Sequence, residues 1–265
     1  MTASKYKESR IECLVNYAKS KGFQDQLGGH WQNSKKEYDY ILKYDNTLDA
    51  ILRYNILDGV PPDLFRRPHS YSHHLNSSQV LCYNYFRPMI SPQRAPLKSL
   101  CDLLLDIVEL PYSAECDFEI KSLLGDNTEY DFFIKDFNSD LEISFEIKYT
   151  EYGFGPATGK TSDEKYETLY KGLLVKCACI KDNVDKENFF KYYQLFRNVL
   201  HVTDTNKYAI FIFPKSNDAC KNEFDRFLEM IHPEYRSNIR ALYWEDLMIG
   251  QENTDFFVKY FKIYR

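Results

Sequence analysis

Two apolar runs in the middle of this chain carry charges that an ordinary strand would exclude. Tyr130-Asp131-Phe132-Phe133-Ile134 holds a carboxylate, and Phe145-Glu146-Ile147-Lys148-Tyr149 holds a carboxylate and an ammonium. Charge in a strand core is costly unless it meets a metal, a partner or water. Side chains alternate along a strand, so Glu146 and Lys148 share one face while Phe145 and Ile147 take the other. With Asp131 on the neighbouring strand, two acids and one ammonium meet at one edge of a sheet. Such a set suits metal-assisted hydrolysis of a phosphodiester. Hard oxygen ligands hold a divalent ion, and the lysine orients water or steadies charge on phosphorus. The alternative is a solvated sheet face whose acid and lysine pair across strands.

The 265 residues, 44% hydrophobic and 28% charged, supply enough apolar surface for one substantial domain or two small ones. The formal net charge of −5 offers no global attraction to nucleic acid. It excludes no nuclease, because a local basic surface and bound cations outweigh the average. The high aromatic share, 22 Tyr and 19 Phe, is consistent with an AT-rich genome and carries little functional weight. Seven scattered cysteines (Cys13, Cys82, Cys101, Cys116, Cys177, Cys179, Cys220) form no Cys-x-x-Cys pair, so reduced core thiols are expected rather than a zinc ribbon or redox motif. The opening ten residues are too polar for a signal peptide, and no apolar run approaches the ~20 residues of a membrane span. These features predict a cytoplasmic protein.

Ile11, Leu14, Val15 and Ala18 at helical spacing predict an opening helix that ends before Gly22. A second helix is predicted from Ser34 through Leu57, and a third from an Asn76 cap through Phe86. Leu97, Leu100, Leu103, Leu104, Ile107 and Val108 form the stripe of a fourth, closed by Pro111. The texture then changes to three strands over 116–121, 130–135 and 141–149, an antiparallel meander. Helices follow over 163–177 and 187–202, then the continuous apolar strand 207–213, a helix 216–231, a strand 239–243 and a terminal helix. The prediction is an N-terminal helical region, residues 1–95, packed on an α/β core, residues 96–265.

That order of elements, with Asp131 and Glu146-Ile147-Lys148 on successive strands, resembles the PD-(D/E)xK nuclease superfamily with its restriction-endonuclease-like fold. Tyr130 stands where the proline of the signature would be. Three further stretches resemble one bacterial branch of that superfamily. They are Glu146-Ile147-Lys148-Tyr149-Thr150-Glu151 followed by Gly153-Phe154-Gly155, the helix motif Tyr193-Gln194-Leu195-Phe196-Arg197-Asn198, and His74-Leu75-Asn76-Ser77-Ser78-Gln79 followed by Cys82-Tyr83-Asn84-Tyr85-Phe86. The resemblance implies an αβββαβ core with a mixed central sheet flanked by helices. It also implies a Mg²⁺-dependent DNA endonuclease of restriction or defence type, with Mn²⁺ as substitute metal and a homodimer for palindromic cutting. Asp131, Glu146 and the backbone carbonyl of Ile147 would hold the metal, and Lys148 would position the attacking water. Glu119 is a further candidate acid, with Asp117 at the same strand parity. Gln194 and Arg197 would border the site, and Ser78, Gln79 and Glu151 would approach phosphate. A non-cleaving nucleic-acid-binding module, a structure-selective repair nuclease and an RNase are the alternatives.

Other features have plainer readings. Gly155 to Thr161 falls one residue short of a P-loop, and an adjacent pair of imidazoles, His73 and His74, points in opposed directions. Arg66, Arg67, Arg87 and Arg94 cluster around the third helix, while Lys160, Lys165 and Lys171 follow the catalytic strands. The expectation is that these two groups face one another across a DNA cleft; the alternative is pairing of the arginines with acids of the 35–63 region.

Overall fold

The computed structural model describes residues 3–32, 34–43, 48–58, 60, 65, 67–90, 113–157 and 161–262. The chain divides into two compact units, Met1–Ala95 with Glu245–Arg265, and Pro96–Trp244.

The first unit opens with helix α1 (Ala3–Ser20), whose end is closed by Phe23 N donating to Ala18 O at 3.1 Å and Gly22 N to Lys19 O at 3.1 Å. The single helix expected over Ser34–Leu57 does not form. Strand β1 (Leu27–His30) and strand β2 (Glu37–Leu42) pair antiparallel, and helix α2 (Leu48–Tyr54) follows. Tyr38, Tyr40 and Ile41 fit a pleated surface better than a helix, and tertiary bonds fix them there: Leu42 N donates to His73 O and Leu75 N to Tyr40 O. The partner strand must be thin at Gly29, where a Cβ would come within 2.7 Å of the Leu42 backbone and 2.9 Å of Ile41 Cγ2. Helix α3 (Ser78–Phe86) is capped by Ser77 rather than Asn76, the Ser77 hydroxyl accepting from Val80 N. The predicted stripe Leu97–Val108 lies outside the described residues.

The second unit is built on strands β3 (Glu115–Lys121), β4 (Glu129–Asp136), β5 (Leu141–Ile147), β6 (Lys207–Phe213) and β7 (Ile239–Tyr243), which lie side by side in that order. β3, β4 and β5 form the expected antiparallel meander, while β5, β6 and β7 run parallel. The long crossover from β5 to β6 carries α4 (Thr161–Lys165), a π-helical turn (Tyr166–Tyr170), α5 (Lys171–Lys176), α6 (Lys186–Lys191) and α7 (Tyr193–Val199). One helix over 187–202 was expected; Tyr192, at φ −111° and ψ 35°, splits it in two. α8 (Asp218–Leu228) connects β6 to β7, and the chain ends with α9 (Trp244–Leu247) and α10 (Asp255–Tyr260).

β6 is the strand buried on both faces, as its unbroken apolar run requires. Ala209, Phe211 and Phe213 on one face join Phe154, Phe189, Phe196, Phe224 and Phe227 in a buried cluster. Cys220, Phe224 and Phe227 on α8, at i, i+4 and i+7, supply the helix stripe that covers this face. The result is a five-stranded mixed sheet flanked by helices, the α/β architecture expected. Among the described residues the cysteines are free, five of them buried, and no helix is long and apolar enough to cross a membrane.

Candidate active site

Three acids come level on three adjacent strands. β4 and β5 pair through Phe132 and Phe145; one residue further on, Asp131 comes opposite Glu146. There the backbones part, and the Asp131 side chain takes over the ladder, its Oδ2 accepting from Ile147 N at 2.6 Å. On the other side, β3 pairs Phe118 with Phe132 and Ile120 with Tyr130, leaving Glu119 opposite Asp131. Glu119 sits at φ +54°, a left-handed backbone inside a strand. A non-glycine residue held there costs on the order of 1–3 kcal/mol, and such strain clusters at functional sites.

Lys148 closes the group. It is 8% exposed and Glu146 9%, so both charges are nearly withdrawn from water. Lys148 Nζ donates to Glu146 Oε1 at 2.6 Å and to Gln194 Oε1 at 2.7 Å, while Asn198 Nδ2 donates to Glu146 Oε2 at 3.0 Å. Burial works against the lysine's charge, but Glu146, Glu151 and Asp131 more than offset it and hold its pKa above the ordinary value. For Asp131 the balance goes the other way. Burial, followed by repulsion from Glu146, pushes its carboxyl well above the usual range; Glu119 adds to this, against Lys148 and the Ile147 N–H. A proton or a cation would relieve that crowding of negative charge.

The scaffold under these groups is rigid. Lys148 N donates to Ile212 O of β6 at 2.8 Å, and the buried Trp244 indole donates to Lys148 O at 2.9 Å. Beyond the strand, the Glu151 carboxylate accepts from Tyr149 N at 2.6 Å and Glu151 O from Asn217 Nδ2 at 2.6 Å. Glu223 of α8 takes Phe154 N at 2.8 Å. Gly155, at φ +95°, then turns the loop beneath Gln194, where a Cβ would lie 3.6 Å from its amide nitrogen.

The structure therefore brings Asp131, Glu146, Lys148, Glu119, Glu151 and Gln194 together in one unit. Arg197 is placed differently. Its guanidinium bonds Thr128 Oγ1 and Asn127 O at 2.9 Å each and lies over the Tyr193 ring, holding the β3–β4 turn. In the first unit, Gln79 is buried and ties down the loop before α3: it donates to Arg67 O and accepts from His69 N and the Ser72 hydroxyl. Ser78 begins that helix. His73 and His74 are buried in an aromatic cluster with Trp31 and Tyr71, and burial lowers the His74 pKa to about 4. Lys171 pairs with Glu167 on an exposed helix face, Lys165 is exposed, and Arg67 is exposed. Arg66, Arg94 and Lys160 lie outside the described residues.

Two residues of the site were not singled out from sequence. Asn198 follows Gln194 by four, so it shares the helix face that Arg197, at three, only partly shares; i, i+4 spacing was the available signal. Trp244 carried no signal, because its contact with Lys148 spans almost a hundred residues.

Residues 28–261 match the model of a family described as Restriction Endonuclease associating with ARP. No curated protein and no solved structure matches the chain.

Proposed function

The chain belongs to that restriction-endonuclease family, and on this premise we propose that it is a metal-dependent DNA endonuclease of restriction or defence type. The observation that carries the reading is the buried Lys148, held between Glu146 and Gln194 beside a crowded Asp131. A lysine so fixed has little use as a surface charge. Its Nζ is held ready to donate to an oxygen on phosphorus or to a water attacking it.

The donors fit a hard divalent ion. Asp131 and Glu146 offer carboxylate oxygens from facing positions, with the Ile147 carbonyl between them in sequence, and the acids outnumber the one ammonium. Mg²⁺, with Mn²⁺ as substitute, would be held by these three residues; when bound it supplies an acidified water and neutralises charge on the phosphoryl oxygens. Gln194 and Asn198 keep Lys148 and Glu146 from collapsing into other rotamers, and Glu119 and Glu151 add to the field that favours a cation. DNA is the proposed substrate, and a two-fold dimer is the proposed state for cutting both strands. The family's description names association with ARP, which we take as an expected partner of this chain as well.

The test is incubation of the purified chain with methylated and unmethylated plasmid DNA and with single-stranded RNA, in Mg²⁺ or EDTA, with mapping of the ends. Mg²⁺-dependent cuts in DNA support the reading. Cutting confined to RNA, or equal breakage in EDTA, overturns it.

A further inference from the structure

A cavity of about 630 Å³ that the reaction above does not use opens along β3 and β4, and Asp131, Glu146 and Glu119 are not among its lining residues. It is lined by Tyr130 and Phe133, which flank Asp131 on β4, and by His201, just beyond α7. The Tyr130 and Phe133 rings stack with centroids 5.4 Å apart and planes 14° apart, and His201 closes on Tyr130 at 5.1 Å. Leu123, 91% exposed, and Phe137, 68% exposed, stand among the lining residues as apolar side chains open to water.

The lysines of the lining are each matched by an acid, Lys121 by Glu129 at 3.7 Å, and Glu115 and Asp117 add two further acids that disfavour an anion. Lys135 is paired with Glu142 at 2.7 Å and Lys207 with Asp204 at 3.5 Å. Burial lowers the His201 pKa to about 4, so this ring is neutral at physiological pH. An occupant is therefore selected for flatness and apolar faces, with no net charge of its own. Ser122 and Thr203 are uncharged polar residues of the lining that can meet the edge of an occupant.

We propose that this cavity receives a nucleobase of the substrate strand, unpaired or turned out of the duplex, stacked on the open face of the Phe133 ring, which the buried Tyr130 ring backs. The inference rests on the nuclease reading, since a strand held at Asp131 presents its bases to the residues on either side. The volume lies within the range of small-molecule sites and exceeds what one base fills, leaving room for its sugar. Stacking platforms of this kind accept any base with an open π face, and polar edge groups then add preference.

The experiment is saturation-transfer NMR on the full chain with the four deoxynucleoside 5′-monophosphates in EDTA, so that no metal holds the phosphate. Base protons should receive saturation from the wild type and from Glu146→Gln, and should lose at least fivefold in Phe133→Ala. Leu123→Glu, at an exposed position that leaves folding alone, should lose a similar factor. Absence of saturation in the wild type, or saturation undiminished from the wild-type level in Leu123→Glu and Phe133→Ala, overturns the base site. Cleavage measured in parallel separates the two readings: Mg²⁺-dependent cutting without base saturation sinks only the cavity proposal. Base saturation without cutting sinks only the nuclease.

Discussion

Lys148 is nearly as buried as the isoleucine before it, yet it keeps its charge because Glu146 and its acidic neighbours outweigh desolvation. Cutting one partner out of such a pair strands the other. Lys148→Met should cost about 3–5 kcal/mol in urea unfolding, and the double variant Glu146→Gln/Lys148→Met should recover much of it. A double variant no more stable than the single would show that the two charges do not depend on each other. If Asp131 and Glu146 hold a divalent ion, Mg²⁺ should raise the Tm of the wild type and leave Asp131→Asn unmoved. The two buried imidazoles set a pH dependence of their own. Burial holds the pKa of both His74 and His201 at about 4, so protons bind the unfolded chain first. Stability is full above the ordinary imidazole value of 6.5. It falls as pH drops from there toward 4, by up to about 3 kcal/mol for each ring. A Tm flat across that window would contradict the burial of these rings. At this scale the sequence is most readable where a charge breaks an apolar pattern, as at Asp131, Glu146 and Lys148. Asn198 is less readable: it closes the Tyr193–Asn198 motif, but an asparagine on a helix breaks no apolar pattern and only its spacing from Gln194 marks it.

The β elements of the second unit were legible because each strand alternates or runs apolar between clear turns. The antiparallel meander follows from those short turns, Gly125-Asp126-Asn127 and Asn138-Ser139-Asp140. The segment 34–57 misled because Tyr and Ile spacing there fits either period, and only the bonds from residues 73–75 decide for a strand. A helix break at Tyr192 is equally silent, since tyrosine is no breaker by itself. One element ties fold to site. The Asn217 side chain caps α8 through Cys220 N at 3.1 Å and also holds Glu151 O. Asn217→Ala should therefore cost about 1–2 kcal/mol, as cap losses do, and also lower cleavage by loosening the Glu151 loop. Phe227→Ala, in the core stripe of the same helix, should cost about 3–5 kcal/mol with less effect on cleavage per unit of stability lost. Equal ratios of activity to stability in the two variants would deny Asn217 its second role.

Across the whole chain, the sequence leaves unmarked the join between its two ends. Residues 245–265 group with the N-terminal unit, where Arg10 of α1 donates to Tyr260 O and Phe261 O at 3.3 and 3.2 Å; contacts between the two ends of a chain have no local signature. The net charge of −5 means that any DNA affinity must come from local cations and the metal, so binding should weaken steeply as salt rises. The most direct test of the nuclease assignment is the rate of DNA cleavage by Glu146→Ala against wild type at matched Mg²⁺, with circular dichroism confirming that both are folded. If Glu146 helps hold the metal, the folded variant loses cleavage by at least a hundredfold, on the order of the ~3 kcal/mol that losing one charge-stabilising group removes from a transition state. A folded Glu146→Ala that cuts as fast as wild type would contradict the assignment.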